Sequence, residues 1–73
     1  MITNLDLLLD VLSHWKVLSK QELYENWNNT LKDLNKECVS YTLFTQGIYT
    51  LERQGKLRIQ SNNHTVYIIY LGH

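Results

Sequence analysis

The chain has 73 residues, a hydrophobic fraction of 44% and a formal net charge of zero, which bounds it to one domain, residues 1–73, with a single small core. That composition excludes wholesale disorder, and no apolar run approaches the roughly 20 residues of a membrane span. The one cysteine, Cys38, excludes an internal disulfide and cannot by itself hold a metal, and the first residues lack the basic region and small-residue cleavage site of a signal peptide, so a reducing, cytoplasmic setting is expected.

In chain order, Leu5, Leu8, Leu9, Leu12 and Trp15 recur at helical spacing, with Thr3 or Asn4 available as a cap and Asp6 near the positive end of the helix dipole. A second apolar line, Leu7, Val11 and His14, runs beside the first. It reads either as the broad core face of a tiny protein or as a dimer contact. Val17-Leu18 is a short apolar step that can add a third, edge strand. Ser19-Lys20-Gln21-Glu22 matches a capping box, with the serine as cap and the glutamate reaching back. The helix that follows buries Leu23 and Trp27, with Tyr24 at its flank. Asn28-Asn29-Thr30 interrupts it, while Leu31, Leu34 and Cys38 continue a helical period. Either this helix bends and runs on, or a separate short helix starts at Thr30, so the chain carries three or four helices. On the helical spacing the Cys38 thiol is expected to be buried.

Ser40 can cap the next helix, where Phe44, Ile48 and Leu51 mark one buried face, and Gly55 suits the left-handed residue that ends it. Two strands follow, Lys56 to Gln60 and Thr65 to Leu71, around the polar tip Ser61-Asn62-Asn63-His64. A two-residue turn at Asn62-Asn63 sets Ser61 opposite His64, Gln60 opposite Thr65, Ile59 opposite Val66, Arg58 opposite Tyr67 and Leu57 opposite Ile68. Leu57, Ile59, Val66, Ile68 and Tyr70 then share one face, and Lys56, Arg58, Gln60, Thr65 and Tyr67 the other. The expected core includes Leu9, Leu12, Leu23, Ile48, Leu51, Ile59 and Ile68.

Together these elements predict an α+β domain whose whole length resembles the winged helix-turn-helix superfamily. The resemblance is carried by Leu18-Ser19-Lys20-Gln21-Glu22-Leu23-Tyr24, similar to the opening of the second helix in small repressors. It is carried also by Ile48-Tyr49-Thr50-Leu51-Glu52-Arg53-Gln54-Gly55-Lys56-Leu57, similar to the end of a recognition helix running into a wing. The segment between them is similar in length to that of ferric-uptake-type and penicillinase-repressor-type domains. The chain departs from the former in lacking metal sites rich in histidine and cysteine, and from both in lacking a separate dimerisation domain. The resemblance implies a small cytoplasmic DNA-binding transcriptional regulator of the phage or plasmid kind, working as a homodimer on double-stranded DNA.

On that resemblance Tyr41, Thr42, Thr45, Gln46 and Tyr49 face the major groove. Glutamine can pair with adenine, threonine can touch a thymine methyl, and tyrosine can bond phosphate. Arg58 with Asn62, Asn63 and His64 forms the wing, and Arg53 flanks it. Leu7 and Val11, together with Ile69 and Leu71 on the outward side of the last strand, form the expected dimer interface. Net charge argues the other way. Residues 1–39 hold four lysines against six acids, and residues 40–73 hold Arg53, Lys56 and Arg58 against Glu52, so the positive excess on the helix-plus-hairpin unit is small. A protein-binding winged helix, acting as an adaptor or as an inhibitor of a larger nucleic-acid machine, needs no basic surface and is the alternative. Catalysis is not expected: His14, His64 and His73 are far apart in sequence, no zinc spacing or glycine-rich phosphate loop occurs, and no cofactor or metal is implied.

Overall fold

The structure, a computed structural model, describes residues 4–72. Thr3 and His73 lie outside the described residues. Three helices and three strands follow in the order α1 (Asn4–Trp15), β1 (Val17–Ser19), α2 (Lys20–Asp33), α3 (Tyr41–Arg53), β2 (Leu57–Asn62) and β3 (Thr65–Tyr70). The strands make one antiparallel sheet in the order β1-β3-β2.

Each helix boundary has a local chemical cause. Ser19 caps α2 by accepting the Glu22 N–H at 3.2 Å, and the Ser19 N–H donates to Glu22 Oε1 at 3.3 Å, completing the capping box. Ser40 caps α3 by accepting the Leu43 N–H at 3.3 Å. α3 ends at Gly55, with φ 75°. There the Gly55 N–H reaches Glu52 O and the Lys56 N–H reaches Leu51 O, at 2.9 and 3.0 Å, which satisfies carbonyls that the last turn would leave bare. α2 ends the same way on an asparagine. Asn35 has φ 57°, its N–H bonds Lys32 O at 3.0 Å, and Lys36 N–H bonds Leu31 O at 2.8 Å.

That ending answers the question the sequence left open: α2 is one helix through Asn28-Asn29-Thr30 to Asp33, and no separate helix follows. Leu23, Trp27 and Leu31 are all buried at four-residue spacing, and burying three such side chains outweighs the few tenths of a kcal/mol that asparagine and threonine cost a helix. Cys38 therefore lies beyond the helix and is exposed, contrary to the buried thiol expected from spacing. Leu34, the C-cap, is likewise exposed at 51%.

The core consists of Leu8, Leu12, Leu18, Leu23, Trp27, Leu31, Phe44, Ile48, Leu51, Leu57 and Ile68, with no buried polar residue among the described residues. In α1 the fully buried pair is Leu8 and Leu12. Leu9, expected inside, is only half-buried, as is Ile59 on β2, and Trp15 at the end of the predicted stripe is 59% exposed. α1 rests chiefly on α2 and β3, and the end of its Leu5 side chain reaches over Gly47 of α3. A Cβ added at Gly47 would lie 2.8 Å from Leu5 Cδ2. Leu7 and Val11 are half-buried against the core, so this helix uses a broad face within its own chain. Trp27 is buried because its indole N–H finds the Asn4 carbonyl at 3.0 Å.

The hairpin turns one residue later than expected. Asn62 pairs with Thr65, Ser61 with Val66, Gln60 with Tyr67, Ile59 with Ile68, Arg58 with Ile69 and Leu57 with Tyr70. The turn is Asn63-His64, and Asn63, with φ 57°, takes the left-handed conformation that a tight hairpin needs at its first central position. Moving a two-residue turn by one position shifts the partner of every residue by two, so the side-chain faces survive although every pair changes. Leu57 and Ile68 are buried on the inner face, and Arg58 and Tyr67 are exposed on the outer one. β3 is the central strand. Val17 pairs with Ile69, Leu18 with Ile68 and Ser19 with Tyr67, so Ile69 is half-buried between two neighbours while Leu71 is 37% exposed. Both edges of β3 are used within the chain, and only its outer face remains for another molecule.

Candidate nucleic-acid interface

With Phe44, Gly47, Ile48 and Leu51 turned into the core, the opposite side of α3 must face solvent. Thr42, Gln46 and Arg53 are exposed, Tyr41 is 43% exposed, and Tyr49 is 53% exposed. Thr45 is half-buried, and its hydroxyl donates to Tyr41 O at 2.9 Å. Its own helix therefore uses the proton that a base edge would receive. Arg58, Asn62, Asn63 and His64 are all exposed, with Asn63 and His64 at the tip and Asn62 as the last paired residue of β2.

Two clefts tie these elements into one surface. A small one, about 90 Å³, lies between α3 and the hairpin. Thr45 and Tyr49 line it from α3, Ser61 from β2, Lys20 from α2, and Ile48, Ile59, Val66 and Ile68 form its apolar part. A larger, open one, about 320 Å³, is lined by Ser19, Lys20, Gln21, Tyr41, His64, Thr65 and Val66. The start of α2, the outward side of α3 and the hairpin tip are therefore neighbours. None of the residues lining either cleft is acidic.

Lys20 belongs to both clefts, and its ammonium sits 4.8 Å from the centroid of the Tyr41 ring. That distance is within the range of a cation–π contact, which holds a flexible cation in place. Tyr41 is held in turn by an aromatic cluster, with its centroid 5.1 Å from Tyr24 and 5.7 Å from Phe44. Sequence reading assigned no functional role to Lys20, Gln21, Ser61 or Thr65. The available signal for Lys20 and Gln21 was their place inside the capping box, which fixes them at the exposed first turn of α2. For Ser61 and Thr65, only the true turn position reveals the surface they join.

Leu7, Val11, Ile69 and Leu71 belong to α1 and to the end of the sheet. Leu7 and Val11 are half-buried and packed against the core, Ile69 is half-buried, and Leu71 is exposed. Among the described residues no group of three His, Cys, Asp or Glu side chains could hold a metal ion. No described helix is long and apolar enough to cross a membrane. Compared with known protein families, with curated proteins and with solved structures, the chain finds no match.

Proposed function

We propose that this chain is a winged-helix domain that docks on double-stranded DNA, with α3 as the reading helix and the β2-β3 hairpin as the wing, and that it acts as a small transcriptional regulator. The observation that carries the reading is the pair of clefts that join the start of α2, the outward side of α3 and the hairpin tip, neither of them lined by an acidic side chain. Gln46 and Thr42 supply hydrogen-bonding groups for base edges, while Lys20, Arg53 and Arg58 supply charge for phosphates. The order of elements, with β3 central between β1 and β2, is compatible with the winged helix the sequence resembles and supports this reading.

The test is binding to random duplex DNA at two salt concentrations. A protein that neutralises phosphates releases counterions, so affinity must fall steeply as salt rises. Absence of duplex binding at low salt rejects the proposal.

A second reading is favoured by a specific observation. Tyr41 and Tyr49 stand exposed on α3 at 43% and 53%, and exposed aromatic groups suit a protein partner. On this reading the same surface belongs to an adaptor or inhibitor of a nucleic-acid machine. Self-association is a separate element of either reading and rests on exposed Trp15, Val17 and Leu71. Light scattering at micromolar concentration that returns the 8.7 kDa chain mass removes it.

A further inference from the structure

The cleft between α3 and the hairpin is built differently from the surface around it. Its apolar part is Ile48, Ile59, Val66 and Ile68, all β-branched and none aromatic, while Lys20, Thr45, Tyr49 and Ser61 complete its lining. Ile48 and Ile68 are fully buried, so the cleft reaches down to the core. Its volume of about 90 Å³ is smaller than the roughly 150 Å³ of a cavity that accepts benzene. An aromatic ring is too large for it, and a compact branched aliphatic group is the right size.

Charge decides the other end of the ligand. Lys20 is the one cation among the lining residues and none of them is acidic, while the nearby Glu52 carboxylate is engaged by the Ile59 N–H at 3.1 Å. Its ammonium is steadied by the Tyr41 ring at 4.8 Å. The hydroxyls of Tyr49 and Ser61 make no hydrogen bond among the described residues and are left to a ligand. A carboxylate meeting Lys20 and a hydroxyl donor makes charge-assisted hydrogen bonds, the stronger kind. A bare phosphate can meet the same cation and hydroxyls but has no apolar group to cover the floor of Ile48, Ile59, Val66 and Ile68.

We propose that this cleft is a binding site for a short branched-chain carboxylate, with the aliphatic group on Ile48, Ile59, Val66 and Ile68 and the carboxylate on Lys20. Thr45 and Tyr49 also belong to the outward side of α3. If the DNA reading above holds, the ligand occupies part of the docking surface and lowers duplex affinity, and that consequence alone rests on that reading.

The experiment is a titration of the whole chain with isovalerate, followed by backbone amide shifts, with 3-methylbutan-1-ol as the uncharged counterpart. The expected result is saturable shifts concentrated at Thr45, Ile59, Ser61 and Val66, with the alcohol binding about tenfold more weakly for want of the charged contact. Lys20→Met should bring isovalerate down to the affinity of the alcohol, and Val66→Phe should fill the cleft and abolish saturation. Linear or scattered shifts, equal binding of acid and alcohol, or Lys20→Met binding isovalerate like the parent would each overturn the site. Lys20 is half-exposed and outside the core, so that variant remains decisive even where Val66→Phe disturbs folding. Duplex binding is measured separately: saturable isovalerate binding without any duplex binding keeps the carboxylate site and rejects the DNA reading.

Discussion

Asn28 on α2 grips the backbone of Val39 by both of its polar groups. Val39 N–H donates to Asn28 Oδ1 at 2.8 Å, and Asn28 Nδ2 donates to Val39 O at 3.3 Å. Tyr24 O–H adds a bond to the same carbonyl at 3.0 Å. The primary amide thus imitates a backbone partner for a segment, residues 36–40, that has no regular secondary structure of its own. By holding Val39, it also fixes Ser40, the cap from which α3 starts.

Removing that grip should loosen the approach to α3. Asn28→Ala leaves a partly buried N–H without a partner, and the expected loss of stability is about 1–3 kcal/mol. Asn28→Asp retains the acceptor for Val39 N–H and loses only the donor, so it should cost less at neutral pH. Urea unfolding of both variants, with amide exchange at Val39 and Ser40, measures this. An unchanged midpoint and unchanged exchange in Asn28→Ala would show that the segment is held by Tyr24 and packing alone.

Leu5 of α1 reaches over Gly47 of α3. Gly47→Ala gains about 1 kcal/mol of helix propensity but places a Cβ 2.8 Å from Leu5 Cδ2, and relieving an overpacked contact costs about 1–3 kcal/mol. Leu5 is half-buried and the clash is with the end of its side chain, so it can give way, and the net change should be within about 1 kcal/mol of zero. In a Leu5→Ala background the same substitution should become stabilising. A double-mutant cycle that returns no coupling between the two sites rejects this account.

Gly55 has φ 75° and nothing within 4 Å of the position a Cβ would take, so the cost of a side chain there is purely conformational. Gly55→Ala should destabilise by about 1–2 kcal/mol. Gly55→Asn should lose clearly less, because asparagine already holds this conformation at Asn35 and Asn63, each with φ 57°. Thermal unfolding ranks the three proteins, and equal losses for alanine and asparagine would mean that the backbone changes shape instead.

Gln46 and Arg58 separate reading a sequence from holding a phosphate. On the DNA proposal Gln46→Ala should lose about 1–3 kcal/mol on the preferred sequence and little on random duplex. Arg58→Ala should weaken all duplexes alike and reduce the salt slope by about one unit. A protein-binding module behaves otherwise: neither change alters duplex binding, and substitutions at Tyr41 or Tyr49 abolish capture of the partner.

Leu51 is 2% exposed and Ile59 only half-buried, a difference that alternation along a strand does not express. Leu51→Ala should cost about 2–5 kcal/mol, whereas Ile59→Ala should fall near or below the lower end of that range. Comparison of their urea midpoints decides it. A larger loss at Ile59 would mean that the hairpin lies closer against α3 than its exposure indicates.

What the sequence by itself determined are the features whose physics is local. The capping box at Ser19, the stop at Gly55 and the buried stripe of Phe44, Ile48 and Leu51 depend on residues within a few positions of one another, and each is present in the structure. The faces of the hairpin were legible for the same reason, since alternation survives an error in the turn. Tertiary structure alone decided whatever depends on a distant partner. Leu8 rather than Leu9 is fully buried, a choice made by the packing of α1 on α2 and β3 and not by spacing within the helix. Asn28 reads locally as a helix breaker, yet it sits inside α2 because Trp27 and Leu31 are buried and Val39 occupies its amide. Cys38, whose spacing extends the apolar line of α2, is exposed because Asn35 ends the helix before reaching it. The surface joining Lys20 to Tyr49 and His64 follows the same rule: it is assembled from α2, α3 and the hairpin, and no periodicity within one element encodes which residues of another will stand beside it.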